Sequence, residues 1–126
     1  MVGKQRPLAD SALGRAALCA ASAEDRESML GIAQAEGALR QDITMVRQHI
    51  ADVLEDYDQR GYCWSVGGTD TRISAIAVPV ATGTGIHAAL NVLFFTSALS
   101  IDVAARKFLA PLQDCVARIE HRLDLL

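Results

Sequence analysis

Positive charge is scarce in this chain. Twelve lysines and arginines stand against fifteen aspartates and glutamates, for a formal net charge of -3 and a pI near 5.5. Nothing in that balance attracts phosphate backbones over a broad surface, which makes this chain a poor candidate for binding DNA on its own. Cysteine is also scarce. Cys19, Cys63 and Cys115 are widely spaced, with no CxxC pair and no even-numbered framework. That usage excludes a disulfide scaffold and predicts reduced thiols in a cytosolic protein, most of them small core residues. Long apolar runs are missing too. ISAIAVPVA and AALNVLFF are about half the ~20 residues that a bilayer-spanning helix needs, so no membrane partner is expected. MVGKQRPLADSALG lacks the apolar core of a signal peptide, and there is no internal repeat or low-complexity tract.

What is present is a hydrophobic fraction of 51% in 126 residues, with 21% charged. That is enough for one buried core and too little for two independent domains. Asp10 or Ser11 can cap a helix through SALGRAALCAAS, and Ser22-Ala-Glu-Asp25 offers a second start, for a helix ending near Gly37. Leu39, Ile43, Val46, Ile50, Val53, Leu54 and Tyr57 recur at steps of three and four, and Gly61 follows as a left-handed stop. The period then changes. YCWSV and RISAIAVPV flank the reversal GGTD, and TGTG at 82–85 leads into IHAALNVLFF. Three antiparallel strands are predicted over about 62–66, 72–80 and 86–95. Ser100 caps a last helix striped by Ile101, Ala104, Phe108, Leu112, Cys115, Ile119 and Leu123, with a kink expected near Lys107 to Pro111. The order is ααα–βββ–α, an α/β (α+β) chain.

Alternation divides the strands by face. Tyr62, Trp64, Ser74, Ile76, Val78, Leu90, Val92 and Phe94 form a bulky face suited to packing against the long helices. Cys63, Ser65, Ile73, Ala75, Ala77, Ala89, Asn91 and Leu93 form a small-residue face. Two readings of that second face stand open. Small side chains let a helix approach closely, or they leave a void for a small ligand oriented by Ser65 and Asn91.

Sharper chemistry finds little support. Cys63 has no histidine in reach in the predicted layout, since His87 sits beside a turn and His49 and His121 lie on helices. No catalytic residue is therefore assigned. Cys63, Cys115 and His121 lack metal-ligand spacing, so no metal and no cofactor are expected. Trp64 reads as a core or interface anchor, Arg72 as solvated or salt-bridged, and the charge run EDYDQR as a helix end. GGTDT joins two strands and is a turn rather than a phosphate loop.

PLADSALGRAAL, RGYCWSVGGTD, ISAIAVPV, ALNVLFF and LAPLQDCVARIEHRL, in this order and spacing, resemble the C-terminal effector-binding domain of IclR-type transcriptional regulators over nearly the whole chain. AALNVLFFTSALSIDVAARKFLAPLQ looks closest to the MhpR-like subgroup, which governs aromatic-acid catabolism. The resemblance implies a GAF-like (profilin-like) antiparallel sheet with flanking helices. It also implies that residues 1–126 are a single, partial effector-binding domain without a helix-turn-helix and without the family's first strands. The reading is a cytoplasmic ligand sensor rather than an enzyme, with a homo-oligomer (dimer or tetramer) expected and DNA bound only through a domain absent from this chain. The alternative is a GAF-like oligomerisation module without a ligand.

By the same resemblance, a small organic acid effector would sit between the sheet and the S-A-x-G helix. Matching positions are Ser11, Ala12 and Leu13 on the helix, Ser65 on the first strand, Ile73 and Ala75 on the second, and Asn91 and Leu93 on the third. The strand positions all fall on the small-residue face. Backbone amides at the helix start could hold the carboxylate, Gly14 would allow close approach, and Leu93 would favour an aromatic or aliphatic body over a small α-keto acid.

Overall fold

Serines set three of the four helix starts. In the computed structural model, which describes residues 10–39, 42–67, 70–81 and 87–124, helix α1 (Ala12–Ala20) begins behind Ser11, whose Oγ accepts from the Gly14 amide at 3.0 Å. Helix α2 (Ala23–Ala35) begins behind Ser22, whose Oγ accepts from the Asp25 amide at 3.1 Å. Each cap satisfies an amide that the first turn leaves without a partner. Helix α3 (Ile43–Arg60) starts after Asp42 and stops at Gly61, which takes φ +81°. Leu39, read as the first member of the α3 stripe, lies ahead of the helix. Periodicity alone does not mark where a helix starts.

The strands are β1 (Cys63–Val66), β2 (Ile73–Ala81) and β3 (His87–Phe95), in the order β1-β2-β3 with both pairings antiparallel. They fall within a residue of the predicted spans. Gly67 opens the first reversal at φ +65°, and its amide donates to Ile73 O at 3.0 Å. Asp70 fixes the far side, accepting from the Arg72 amide at 2.9 Å and pairing with its guanidinium at 2.9 Å. Those bonds hold the Asp70 carboxyl down at about 2, and Arg72 is salt-bridged at the surface as expected. The TGTG reversal lies outside the described residues.

A Cβ on Gly67 would sit 3.3 Å from the Thr71 backbone, in a conformation that costs an L-residue energy. Gly67→Ala is therefore expected to cost about 1–2 kcal/mol. Urea unfolding monitored by Trp64 fluorescence checks this, and an unchanged midpoint would contradict the turn geometry.

The bulky face is the main core. Ile76, Val78, Val80 and Tyr62 are buried against Ala104, Leu112 and Val116 of helix α4 (Ile101–Asp124), with Trp64, Leu90, Val92 and Phe94 packed around them. Ser100 starts α4, its Oγ accepting from the Val103 amide at 3.2 Å. The helix runs on through Pro111 to Asp124. Its buried stripe turns slightly from the predicted one. Val116 is in the core where Cys115 was expected, and Ile119 is exposed.

Only α4 among the long helices covers this face. Helix α3 instead packs with α1 and α2 through Leu18, Leu30 and Ile50, supported by Val46 and Leu54. The result is an α+β domain in which α4 lies on one side of the sheet and α1 on the other.

Candidate functional site

Close approach, the first of the two readings of the small face, is what occurs along most of α1. Ala12 and Ala16 are buried directly against Cys63, Ala75 and Ala77, with Cys19, Tyr57 and Ala89 at the margin. Small side chains on both surfaces let the helix backbone lie near the sheet. The register aligns three rows across this face: Cys63–Ala77–Asn91, Ser65–Ala75–Leu93 and Ile73–Phe95. Ala77 is fully buried while Leu93 and Phe95 are 63% and 62% exposed, so the face opens toward the last two rows.

Six of the eight expected effector residues are joined by this geometry. Ala12 N donates to Ser65 Oγ at 3.2 Å, which ties the start of α1 to the middle row of the sheet. Ser11 precedes that contact as the helix cap, and Leu13 follows it, 43% exposed. Ala75 and Leu93 share the Ser65 row. Ile73 lies one row further out, beside Phe95, and Asn91 one row further in, opposite Ala77.

Two of the α1 amides are already used, Ala12 by Ser65 and Gly14 by Ser11. An acid bound here would meet the Ser65 hydroxyl as well as the helix end, since a hydroxyl accepting one bond still has a proton to donate. Phe95 was not among the expected residues. Its position at the end of β3 continues the alternation by one step and could have been read from it.

A separate pocket of about 130 Å³ lies at the β1 edge, lined by Arg15, His49, Asp52, Val53, Asp56, Cys63 and Trp64. None of the eight expected residues lines it. Arg15 Nη1 donates to Trp64 O at 2.7 Å and Trp64 Nε1 donates to Asp56 Oδ2 at 2.9 Å. Arg60 lies over the Trp64 ring at 5.6 Å and binds Asp56 at 2.7 Å. Trp64 is thus an anchor, as expected. His49 and Cys63 do line the same pocket, a neighbourhood that the sequence layout did not place together. The Cys63 thiol is nevertheless pushed up, first by its contact with Cys19 and then by burial, which disfavours it as a nucleophile. Among the described residues, no group of three or more His, Cys, Asp or Glu could hold a metal. No described helix is long and apolar enough to cross a membrane.

The described residues thus form a three-stranded antiparallel meander with the alanine-rich α1 on one face and the long α4 on the other. The family described as Bacterial transcriptional regulator IclR C-terminal matches residues 1–121. The chain belongs to that family, which comprises regulator domains and not enzymes.

Solved structures agree. An IclR family regulator from Brucella abortus is 25% identical, with 94% of this chain and 43% of that one covered and a TM-score of 0.63. The C-terminal domain of the E. coli regulator KdgR superposes with a TM-score of 0.69 at 20% identity, covering 98% of this chain and 74% of that one. The inducer-binding domain of PobR from Acinetobacter, a double mutant solved with 3-hydroxybenzoic acid, gives a TM-score of 0.67 at 18% identity, covering 95% of this chain and 69% of that one. The chain spans 43% and 51% of the Brucella protein and of a Rhodococcus regulator, respectively.

Proposed function

We propose that this chain is the effector-sensing part of a cytoplasmic IclR-type regulator that responds to a small carboxylic acid with an aromatic or aliphatic body. The observation that carries the reading is the junction of α1 with the Ser65 row. Ala12 N meets Ser65 Oγ, with Leu13 next along the helix and Leu93 two strands over in the Ser65 row, both exposed. The Ser65 hydroxyl, with a proton still to donate, and the positive end of α1 suit the carboxylate, and leucines suit the body. The PobR domain solved with a hydroxybenzoic acid supports an aromatic acid, and the MhpR-like resemblance points the same way. Residues 1–126 act as a single effector-binding unit. In the intact protein, binding shifts a homo-oligomer between arrangements and so changes how a DNA-reading domain is presented. That coupling requires the acid to favour one arrangement over the other.

Thermal-shift titration with hydroxybenzoic, hydroxyphenylpropanoic and cinnamic acids tests this, with pyruvate and glyoxylate alongside. A saturable rise with an aromatic acid is expected. Tighter binding of glyoxylate or pyruvate would overturn the assignment of ligand body. Asn91→Leu should weaken the acid by about tenfold through loss of one hydrogen bond, with the fold retained. Unchanged affinity would remove Asn91 from the site.

A second reading has its own support. Leu13, Leu93 and Phe95 are exposed at one end of the small face, and the contact between α1 and the sheet is closely packed. A GAF-like oligomerisation module would use that end as an interface. It would show a melting temperature that rises with protein concentration and is indifferent to acids.

A further inference from the structure

Two of the three thiols meet. Cys19, in the last turn of α1, places its Sγ 3.8 Å from the Sγ of Cys63 at the start of β1. None of the three cysteines is in a disulfide in this structure. Cys63 is buried at 2% exposure, and Cys19 is half-buried at the margin of the same packed layer. Cys115 lies apart on α4, with Arg118 Nη2 at 3.5 Å from its Sγ.

We infer that Cys19 and Cys63 form a reversible intrachain disulfide, a modification site that staples α1 to the edge strand when the chain meets a hydroperoxide. The pairing rests on geometry. The sulfurs are already in hydrogen-bond contact at 3.8 Å, so less than about 2 Å separates them from the length of a disulfide bond.

The roles of the two thiols follow from their surroundings. Contact with the Cys63 sulfur makes the Cys19 thiol more acidic than an ordinary one, and Arg26 adds to the effect against the opposing cost of burial. Arg26 sits at that end of α1, where its Nη1 donates to the Leu18 and Ala21 carbonyls at 3.2 and 2.5 Å. Cys63, buried and facing the Cys19 sulfur, gives up its proton with more difficulty. Cys19, the half-buried and more accessible of the two, is the attacking sulfur, and the buried Cys63 is the resolving one.

The steps balance. The Cys19 thiolate attacks one peroxide oxygen, the O–O bond breaks, and the alcohol leaves after taking a proton. Cys19 is left as a sulfenic acid. Cys63 then attacks that sulfur, the S–O bond breaks, and water leaves carrying the Cys63 proton. Two thiols are oxidised to one disulfide while one hydroperoxide is reduced to an alcohol, or to water when the oxidant is hydrogen peroxide.

The test treats the whole chain with equimolar hydrogen peroxide, with and without dimedone, then alkylates in denaturant and maps the peptides by mass. The expected product is a Cys19–Cys63 cross-link within one chain. It should be reversed by dithiothreitol, form several-fold faster than any loss of the Cys115 thiol, and yield little dimedone adduct. In Cys63→Ala the resolving sulfur is gone, so Cys19 should accumulate as the dimedone adduct. In Cys19→Ser, Cys63 should resist peroxide. Oxidation of Cys19 and Cys115 at equal rates without a cross-link would overturn the inference. So would cross-links between chains, or a Cys19 product in wild type identical to that in Cys63→Ala. The wild-type measurement decides the matter even where a variant fails to fold.

Discussion

Replacing Ile76 with alanine is expected to cost about 4 kcal/mol of stability, within the range found when large aliphatic side chains are removed from close-packed cores. Ile76 is 0% exposed at the centre of β2, flanked across the sheet by Trp64 and Val92. Above it lie Ala104, Leu112 and Val116 of α4. The neighbours on the sheet are fixed by pairing and those on α4 by the helix, so little can move into the space left behind. A domain of this size has roughly 5–15 kcal/mol in all, so the loss would be a large fraction of it. Equilibrium urea unfolding followed by far-ultraviolet circular dichroism measures it. A change under about 1 kcal/mol would mean that α4 collapses onto the sheet and that this core is loosely packed.

The second large effect is expected at the opposite face. Ala16→Leu should destabilise the fold by about 3 kcal/mol, at the upper end for overpacking in a closed interface. Ala16 is 0% exposed between α1 and the alanines of β2. A leucine there must push α1 from the sheet, which would strain the Ala12–Ser65 and Arg15–Trp64 bonds. The same variant separates the two readings of the small-residue face. A stability loss of that size would mean that α1 lies directly on the sheet at Ala16, with no cavity between them there. Full tolerance would mean that α1 stands off from the sheet over a hidden cavity.

Local signals carried well from sequence to structure. Ser11, Ser22 and Ser100 cap helices because a short side-chain oxygen can reach back to a first-turn amide, a relation confined to four consecutive residues. The two sheet faces follow from alternation, which has no competing solution once the strands are known. Partnership was harder to read. The α3 stripe is clear, yet nothing in its spacing says that it packs with α1 and α2 rather than on the bulky sheet face. The drift from Cys115 to Val116 in α4 is a small rotation that periodicity does not resolve.

The contacts least legible in sequence are those between elements far apart in the chain. His49 joins Cys63 at one pocket, and Cys19 meets Cys63 across 44 positions. No motif spacing encodes either meeting. Of the eight residues that the resemblance named, the five on strands share the face that alternation assigns them, spread over three successive rows.

The bond from Arg15 to β1 has a consequence for how copies of the chain can meet. The Gly67 amide bonded to Ile73 O sets the phase of the β1–β2 ladder, so Trp64 opposite Ile76 occupies a non-hydrogen-bonded position. Its carbonyl therefore faces outward, and Arg15 Nη1 occupies it at 2.7 Å. Any strand adding to this edge would first have to evict a charged donor from an acceptor on which it is already well placed. The arginine acts as an end stop on that side of the ladder.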